Sequence, residues 1–146
     1  MPRQSNYEIT WLIRRIFRQM ARTAGESLEA LGITAADRAV LEFLYPDEML
    51  SVPEIAERYD VTRQHVQVTV NALLEKGLVT KRPNPRHKRS DLICLSRSGK
   101  KLFGRVRKND ARLIAQLFQD IPDRQLATTR KTLNQLHHRL QTGDLK

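Results

Sequence analysis

The amino-acid sequence predicts a mainly α chain with one small β-hairpin. Three observations carry that expectation. Apolar residues recur every three or four positions through most of the 146 residues, capping signals precede nearly every such run, and one proline-broken cationic stretch separates two short apolar pieces. The stretch is KRPNPRHKRSD, Lys81 to Asp91, set between Leu78-Val79 and Leu92-Ile93-Cys94-Leu95.

From Tyr7 to about Ala30, the residues Ile9, Leu12, Ile13, Ile16, Met20, Ala24 and Leu28 form the stripe of an amphipathic helix. Gly32 stops it. Thr34 then caps a second helix, with Asp37 favourable at its positive end and Val40, Leu41 and Leu44 as its buried face, and Pro46 closes that helix. In LSVPEIAERY, Ser51 and Glu54 spell a capping box, Leu50 can staple onto Ile55, and Pro53 falls where no helical N–H is required. This third helix is short. A turn at Asp60-Val61 leads to Thr62, the cap of TRQHVQVTVNALLEKG. At about 100° per residue, Val66, Val70, Leu73 and Leu74 share one side of it, and Gln64, Val68, Asn71 and Glu75 the other. Gly77 ends the helix in a left-handed conformation that lets Leu78 fold back onto Leu73.

Val79 to Arg82 and Asp91 to Leu95 read as paired strands. Pro83 and Pro85 have no N–H for a ladder, so they belong to a connection that projects from the hairpin. Ser96 caps a long helix carrying Leu102, Phe103, Val106, Leu113, Ile114, Leu117 and Phe118. Pro122 separates it from a last helix with Leu126, Leu133, Leu136 and Leu140 on one face.

A short helix, a tight turn and a polar-faced helix make a helix-turn-helix, and a hairpin directly after it makes a wing. The expected fold is a winged helix-turn-helix flanked by N- and C-terminal dimerisation helices. It forms a single domain over residues 1–146, with 34–95 as the DNA-binding part and 1–31 and 97–146 as the helical dimerisation part. The first and last two helices carry apolar faces longer than a small winged unit can cover, and a second copy can cover them. Ile9, Ile13, Leu117, Leu133, Leu136 and Leu140 are the residues expected there.

Charge points to the partner. Lys plus Arg is 26 against 16 for Asp plus Glu, a formal net charge of +10. Residues 81–108 hold eleven of the cations and a single acid, Asp91, so the whole excess lies in one stretch and favours a polyanion. A polar helix fits a B-DNA major groove about 12 Å wide, while a wing tip reaches the minor groove or its phosphates. Arg63, Gln64, His65, Gln67 and Asn71 are the expected base-edge readers, and Val68 suits a thymine methyl. Thr62 is engaged as the cap, beside amides that can hold a phosphate. Arg82, Arg86, Lys88 and Arg89, with His87 at the tip, supply the wing's grip on phosphates. Lys100, Lys101, Arg105, Arg107 and Lys108 read as a solvated helix face.

The sequence also resembles the MarR-type winged-helix transcription regulators over nearly its whole length. "LGITAADRAVLEFL" is similar to the family's second helix, "SVPEIAERYDVTRQHVQVTVNALLEKGLVTKR" to its helix-turn-helix, and "NPRHKRSDLICLSRSGKKL" to its wing and following helix. The resemblance implies a homodimer held by intertwined terminal helices, a near-palindromic operator, and frequent response to a small ligand or oxidant. Two positions depart from the family pattern: His87 stands where the wing usually has Asp, and Val68 where the recognition helix often has Arg.

Other classes find little support. The chain has no H-E-x-x-H, G-x-S-x-G or C-x-x-C motif and no phosphate-cradling glycine loop, so neither an enzyme nor a cofactor is expected. His137 and His138 are adjacent on a helix and point different ways, which suggests no metal site. The single Cys94 cannot form an intrachain disulfide and reads as a buried, inert thiol in a reducing compartment. Trp11 and Met20, at helical spacing, read as core before they read as walls of an effector cavity. The N-terminus lacks the apolar core of a signal peptide and no apolar run approaches a membrane span, so a cytoplasmic protein with no membrane partner is expected. The function expected is sequence-specific binding of double-stranded DNA by a homodimeric regulator, a repressor, with release by a small-molecule effector. The alternatives are a nonspecific nucleic-acid-binding architectural protein or a protein-interaction adaptor.

Overall fold

The computed structural model describes Met1 and residues 3–143. Two compact units compose it, one over Met1–Asp110 and one beginning at Ala111. Residues 144–146, the end of the segment assigned above to dimerisation, lie outside the described residues.

Helix α1 (Gln4–Ala30) ends where Gly32 adopts φ +75° and the Ile33 N–H donates to the Leu28 carbonyl at 3.1 Å. A full capping box starts α2 (Ala35–Leu44): the Asp37 N–H donates to Thr34 Oγ1, and the Thr34 N–H donates to the Asp37 carboxylate at 3.0 Å. Helix α2 ends before Pro46, which follows a cis Tyr45-Pro46 bond.

The hairpin expected from the sequence is part of a larger sheet. Strand β1 (Leu50–Ser51) precedes α3 (Val52–Tyr59), α4 (Arg63–Glu75), β2 (Val79–Arg82) and β3 (Leu92–Leu95), and the three strands lie in the order β1-β3-β2, all antiparallel. Two residues are too few to show a period, so β1 is invisible to pattern. Leu50 pairs with Ile93 and is buried as part of this third strand, while the predicted Ser51–Glu54 box caps α3 as expected. The register Val79↔Leu95 to Arg82↔Leu92 starts β3 at Leu92, one residue later than the sequence suggested.

The core lies between α2, α3, α4, the sheet and the start of the long helix α5 (Arg97–Leu117). Leu41, Leu44, Ile55, Val66, Val70, Leu73, Ile93 and Phe103 are all fully enclosed there. The buried Asp37 is balanced by Lys76, whose Nζ lies 2.6 Å from Oδ2, which joins the start of α2 to the end of α4. Period-two alternation turns Ile93 inward and Cys94 the other way. Cys94 is therefore half-buried rather than buried, with its Sγ 3.2 Å from Thr80 Oγ1 across the ladder.

Ser96 joins three elements. Its hydroxyl accepts from the Gly99 N–H at 3.0 Å, capping α5, and donates to the Gly77 carbonyl at 2.6 Å. The Ser96 N–H donates to the Leu78 carbonyl at 3.0 Å. A Cβ on Gly99 would lie 1.9 Å from that carbonyl oxygen, so α5 can begin here only with glycine at this position. The end of α4 and the start of α5 are thereby fixed to one another.

Apolar stripes elsewhere stay open. On α1, Ile9, Leu12, Ile13, Ile16 and Met20 are exposed, as are Tyr7, Trp11 and Phe17. Trp11 and Met20 are thus not core residues of this chain, contrary to the expectation, because nothing in the first unit packs over that part of the helix. In the second unit, α6 (Asp123–Thr142) buries no residue, and Leu133, Leu136 and Leu140 are exposed along it. Leu117, at the end of α5, is exposed as well. Among the described residues, no helix is long and apolar enough to cross a membrane.

Candidate nucleic-acid interface

The turn between α3 and α4 is built by Asp60 in the left-handed region (φ 57°), by the Val61 N–H donating to the Ala56 carbonyl, and by Thr62, whose Oγ1 accepts from the His65 N–H at 3.1 Å. Val66, Val70 and Leu73 fasten the inner side of α4 into the core. Arg63, Gln64, His65, Gln67, Val68 and Asn71 are left exposed on the outer side, as the periodicity predicts. Val68 keeps 64% of its surface in contact with solvent. Next to it, Gln67 Nε2 donates to Asn71 Oδ1 at 2.9 Å, which locks two amides together. The His65 ring sits 6.3 Å from Tyr59, on the flank towards α3.

The hairpin tip is organised by local hydrogen bonds. Asn84 Oδ1 accepts from the Arg86 N–H at 3.1 Å, an Asx turn, and the Ser90 N–H donates to the His87 carbonyl at 3.2 Å. Arg82, Arg86, His87, Lys88 and Arg89 are all exposed. Among the described residues, the ion pairs are Arg38–Asp110, Lys76–Asp37 and Lys100–Asp47, so no wing cation is engaged by a carboxylate.

Helix and wing meet. A groove of about 480 Å³ is lined by Arg63, Gln64 and Gln67 from α4 and by Lys81 and Arg89 from the hairpin. Beside it a second concavity of about 650 Å³ brings Arg63 together with Asn84, Arg86, His87 and Arg89. Arg63 and Arg89 line both. These concavities converge cations and amides on one surface of the first unit. They do not include Arg82 and Lys88, which are exposed elsewhere on the hairpin, or Thr62, His65, Val68 and Asn71, which lie on or before α4 outside the grooves.

Glu54 was not anticipated as part of this surface. It lines the larger concavity, and hydrogen bonds from the Ser51 N–H (2.8 Å) and hydroxyl (3.1 Å) hold its carboxyl below the usual glutamate range, helped by the positive charges of Arg58 and Arg86. Its capping role was readable from spacing, but its place opposite the wing needed the fold. Asn84 carried a visible signal, since Asn-Pro favours a turn. Of the cations read as a solvated face, Lys100 binds Asp47 at 2.7 Å and Arg107 stacks 5.3 Å from the Tyr45 ring, while Lys101, Arg105 and Lys108 are exposed. Among the described residues, no group of His, Cys, Asp and Glu is placed to hold a metal ion.

Residues 31–90 match the model of the MarR family. A protein of Mycobacterium tuberculosis, described as uncharacterized, is 30% identical over 131 residues, covering 88% of this chain and 92% of that protein. A crystal structure of a MarR family transcription regulator superposes with a TM-score of 0.88 at 20% identity, over 94% of this chain and 91% of that one. The crystal structure of the S. aureus MepR–DNA complex gives a TM-score of 0.79 at 22% identity, over 90% of this chain and 97% of that one. The helix-turn-helix, the wing packed behind it and these likenesses agree: the chain belongs to the MarR family of winged helix-turn-helix transcription regulators.

Proposed function

We propose that the chain works as a homodimer that binds a near-palindromic operator, with one α4 in the major groove of each half-site and each wing on the adjacent backbone. The convergence of Arg63, Gln64 and Gln67 with Lys81 and Arg89 in one groove carries this reading. It gives a helix of major-groove dimensions and a cationic hairpin a common target, and a duplex is the polyanion whose grooves and phosphates match that pair. The MepR structure, similar in fold, was solved with DNA, which supports the same partner here.

The open stripes support the dimer. Ile9 and Ile13 on α1, Leu117 on α5, and Leu133, Leu136 and Leu140 on α6 are apolar and exposed, and a two-fold partner offers a matching set. Two-fold symmetry then sets the recognition helices about 34 to 36 Å apart, one turn of DNA. In this reading the chain represses by occupying its operator, and a small molecule that changes the dimer's geometry releases it.

Selection from random duplexes followed by competition tests this. An inverted-repeat site should be enriched and should withstand about a tenfold excess of random duplex or RNA at about 150 mM salt. Equal displacement by random duplex or RNA would mean a nonspecific polyanion binder. No retardation of any duplex would favour an interaction adaptor.

A further inference from the structure

The outer face of α4 has a chemical character that narrows what it can read. Its one arginine, Arg63, stands in the first turn, and the rest of the exposed surface consists of Gln64, His65, Gln67, Val68, Asn71 and, at the C-terminal end, Glu75. At about 100° per residue, Val68 lies about 40° from Gln64 and about 60° from Asn71 on the helix circumference, at the centre of the side opposite Val66 and Leu73. A β-branched apolar side chain left 64% exposed at the centre of a reading face has no packing role in the chain. With α4 in a major groove, its methyl groups would face the base edges.

The amides beside it are constrained. Because Gln67 Nε2 donates to Asn71 Oδ1, the pair turns outward one acceptor, Gln67 Oε1, and the donors of Asn71 Nδ2. Adenine offers the complement in the major groove, an N6–H donor beside the N7 acceptor. Guanine offers two acceptors, O6 and N7, and would set O6 against Gln67 Oε1. Thymine is the base that adds a methyl group to the same groove.

We infer that the operator half-site carries an adenine read jointly by Gln67 and Asn71 and, beside it, a thymine read through its 5-methyl group by Val68. This rests on the regulator reading given above and specifies the bases it requires. A·T pairs are thus distinguished at the centre of the half-site without an arginine, and discrimination there is independent of the phosphate contacts made by the wing.

The test starts from duplexes enriched by the wild-type chain and replaces each thymine in turn by deoxyuridine, which deletes the methyl group and preserves pairing. One thymine per half-site should show about a fourfold loss of affinity, the worth of one buried methyl. With Val68→Ala the same replacement should change affinity less than about twofold, while the salt dependence of binding stays as in wild type. At the neighbouring adenine, 7-deazaadenine should weaken binding by wild type and leave Asn71→Ala unaffected. A flat deoxyuridine scan with wild type, or a loss of equal size in Val68→Ala, overturns the inference while leaving the regulator reading intact. A random pool that never enriches overturns both.

Discussion

Leu41 and Ile13 are both apolar residues on the inner stripe of an amphipathic helix, yet Leu41 is completely enclosed and Ile13 is 40% exposed. The contrast extends to their surroundings. Around Leu41, the segment from Leu28 to Val106 closes on itself: its helix starts are capped by Thr34, Ser51, Thr62 and Ser96, its buried Asp37 is paired, and no buried side-chain polar atom among the described residues lacks a partner. Around Ile13, and in the second unit around Leu136, the same periodicity produces stripes with nothing over them. An identical sequence signal therefore has two outcomes, and what separates them is whether the chain itself supplies the opposing surface. The winged part buries its own apolar stripes, while those of the terminal helices stay open to solvent.

Substitutions at Gly99 probe the self-sufficient side most severely. Gly99→Ala drives a methyl into the Leu78 carbonyl and should cost about 3 kcal/mol or more in denaturant unfolding, with loss of DNA binding. A loss below about 1 kcal/mol would mean that the junction of α4 and α5 is not rigid.

The wing cations should behave in the opposite way. Since none is paired with a carboxylate among the described residues, Arg86→Ala/Arg89→Ala should leave stability within about 0.5 kcal/mol of wild type. With one phosphate held by each arginine of the proposed dimer, the variant loses four contacts and the slope of log K against log salt should become shallower by about 3.6. An unchanged slope would remove the wing from the DNA interface.

Ser51→Ala should cost about 1 kcal/mol by deleting the α3 cap. Glu54 adds a pH signature. Its folded-state pKa is lowered, so its contribution is present well above the ordinary glutamate value of about 4.3 and is lost as the pH falls through the lowered folded-state value. Glu54→Gln keeps an acceptor for Ser51 and should flatten stability against pH in that acidic window. A curve that stays parallel to wild type would show that the carboxylate charge plays no part.

Gly25 gives the smallest expected effect. A Cβ there meets nothing within 4 Å, so Gly25→Ala should stabilise α1 by about 0.5–1 kcal/mol. Destabilisation would show that a partner chain packs against that site.

Sequence pattern revealed the winged part almost completely because its signals are local. Thr34, Ser51, Thr62 and Ser96 cap where spacing placed them, Gly32 and Gly77 are left-handed, and the two sides of α4 divide as periodicity required. What escaped depends on contacts distant in sequence. The two-residue strand β1 exists because β3 is beside it, Cys94 is half-buried because Ile93 takes the inward position, and Glu54 faces Arg86 because α3 and the wing border one concavity. The exposure of Trp11 and Met20 escapes pattern because a helical stripe says that something will cover it, not whether the cover belongs to the same chain.

Sedimentation equilibrium of wild type and of Ile13→Glu/Leu136→Glu, each alone and with the enriched duplex, tests the division directly. The account predicts a wild-type dimer that binds as two chains per duplex, and a variant that sediments as a folded monomer with its helical circular dichroism retained and its operator affinity at least about a hundredfold weaker. A wild-type chain that remains monomeric and saturates the duplex at one chain per site would contradict it.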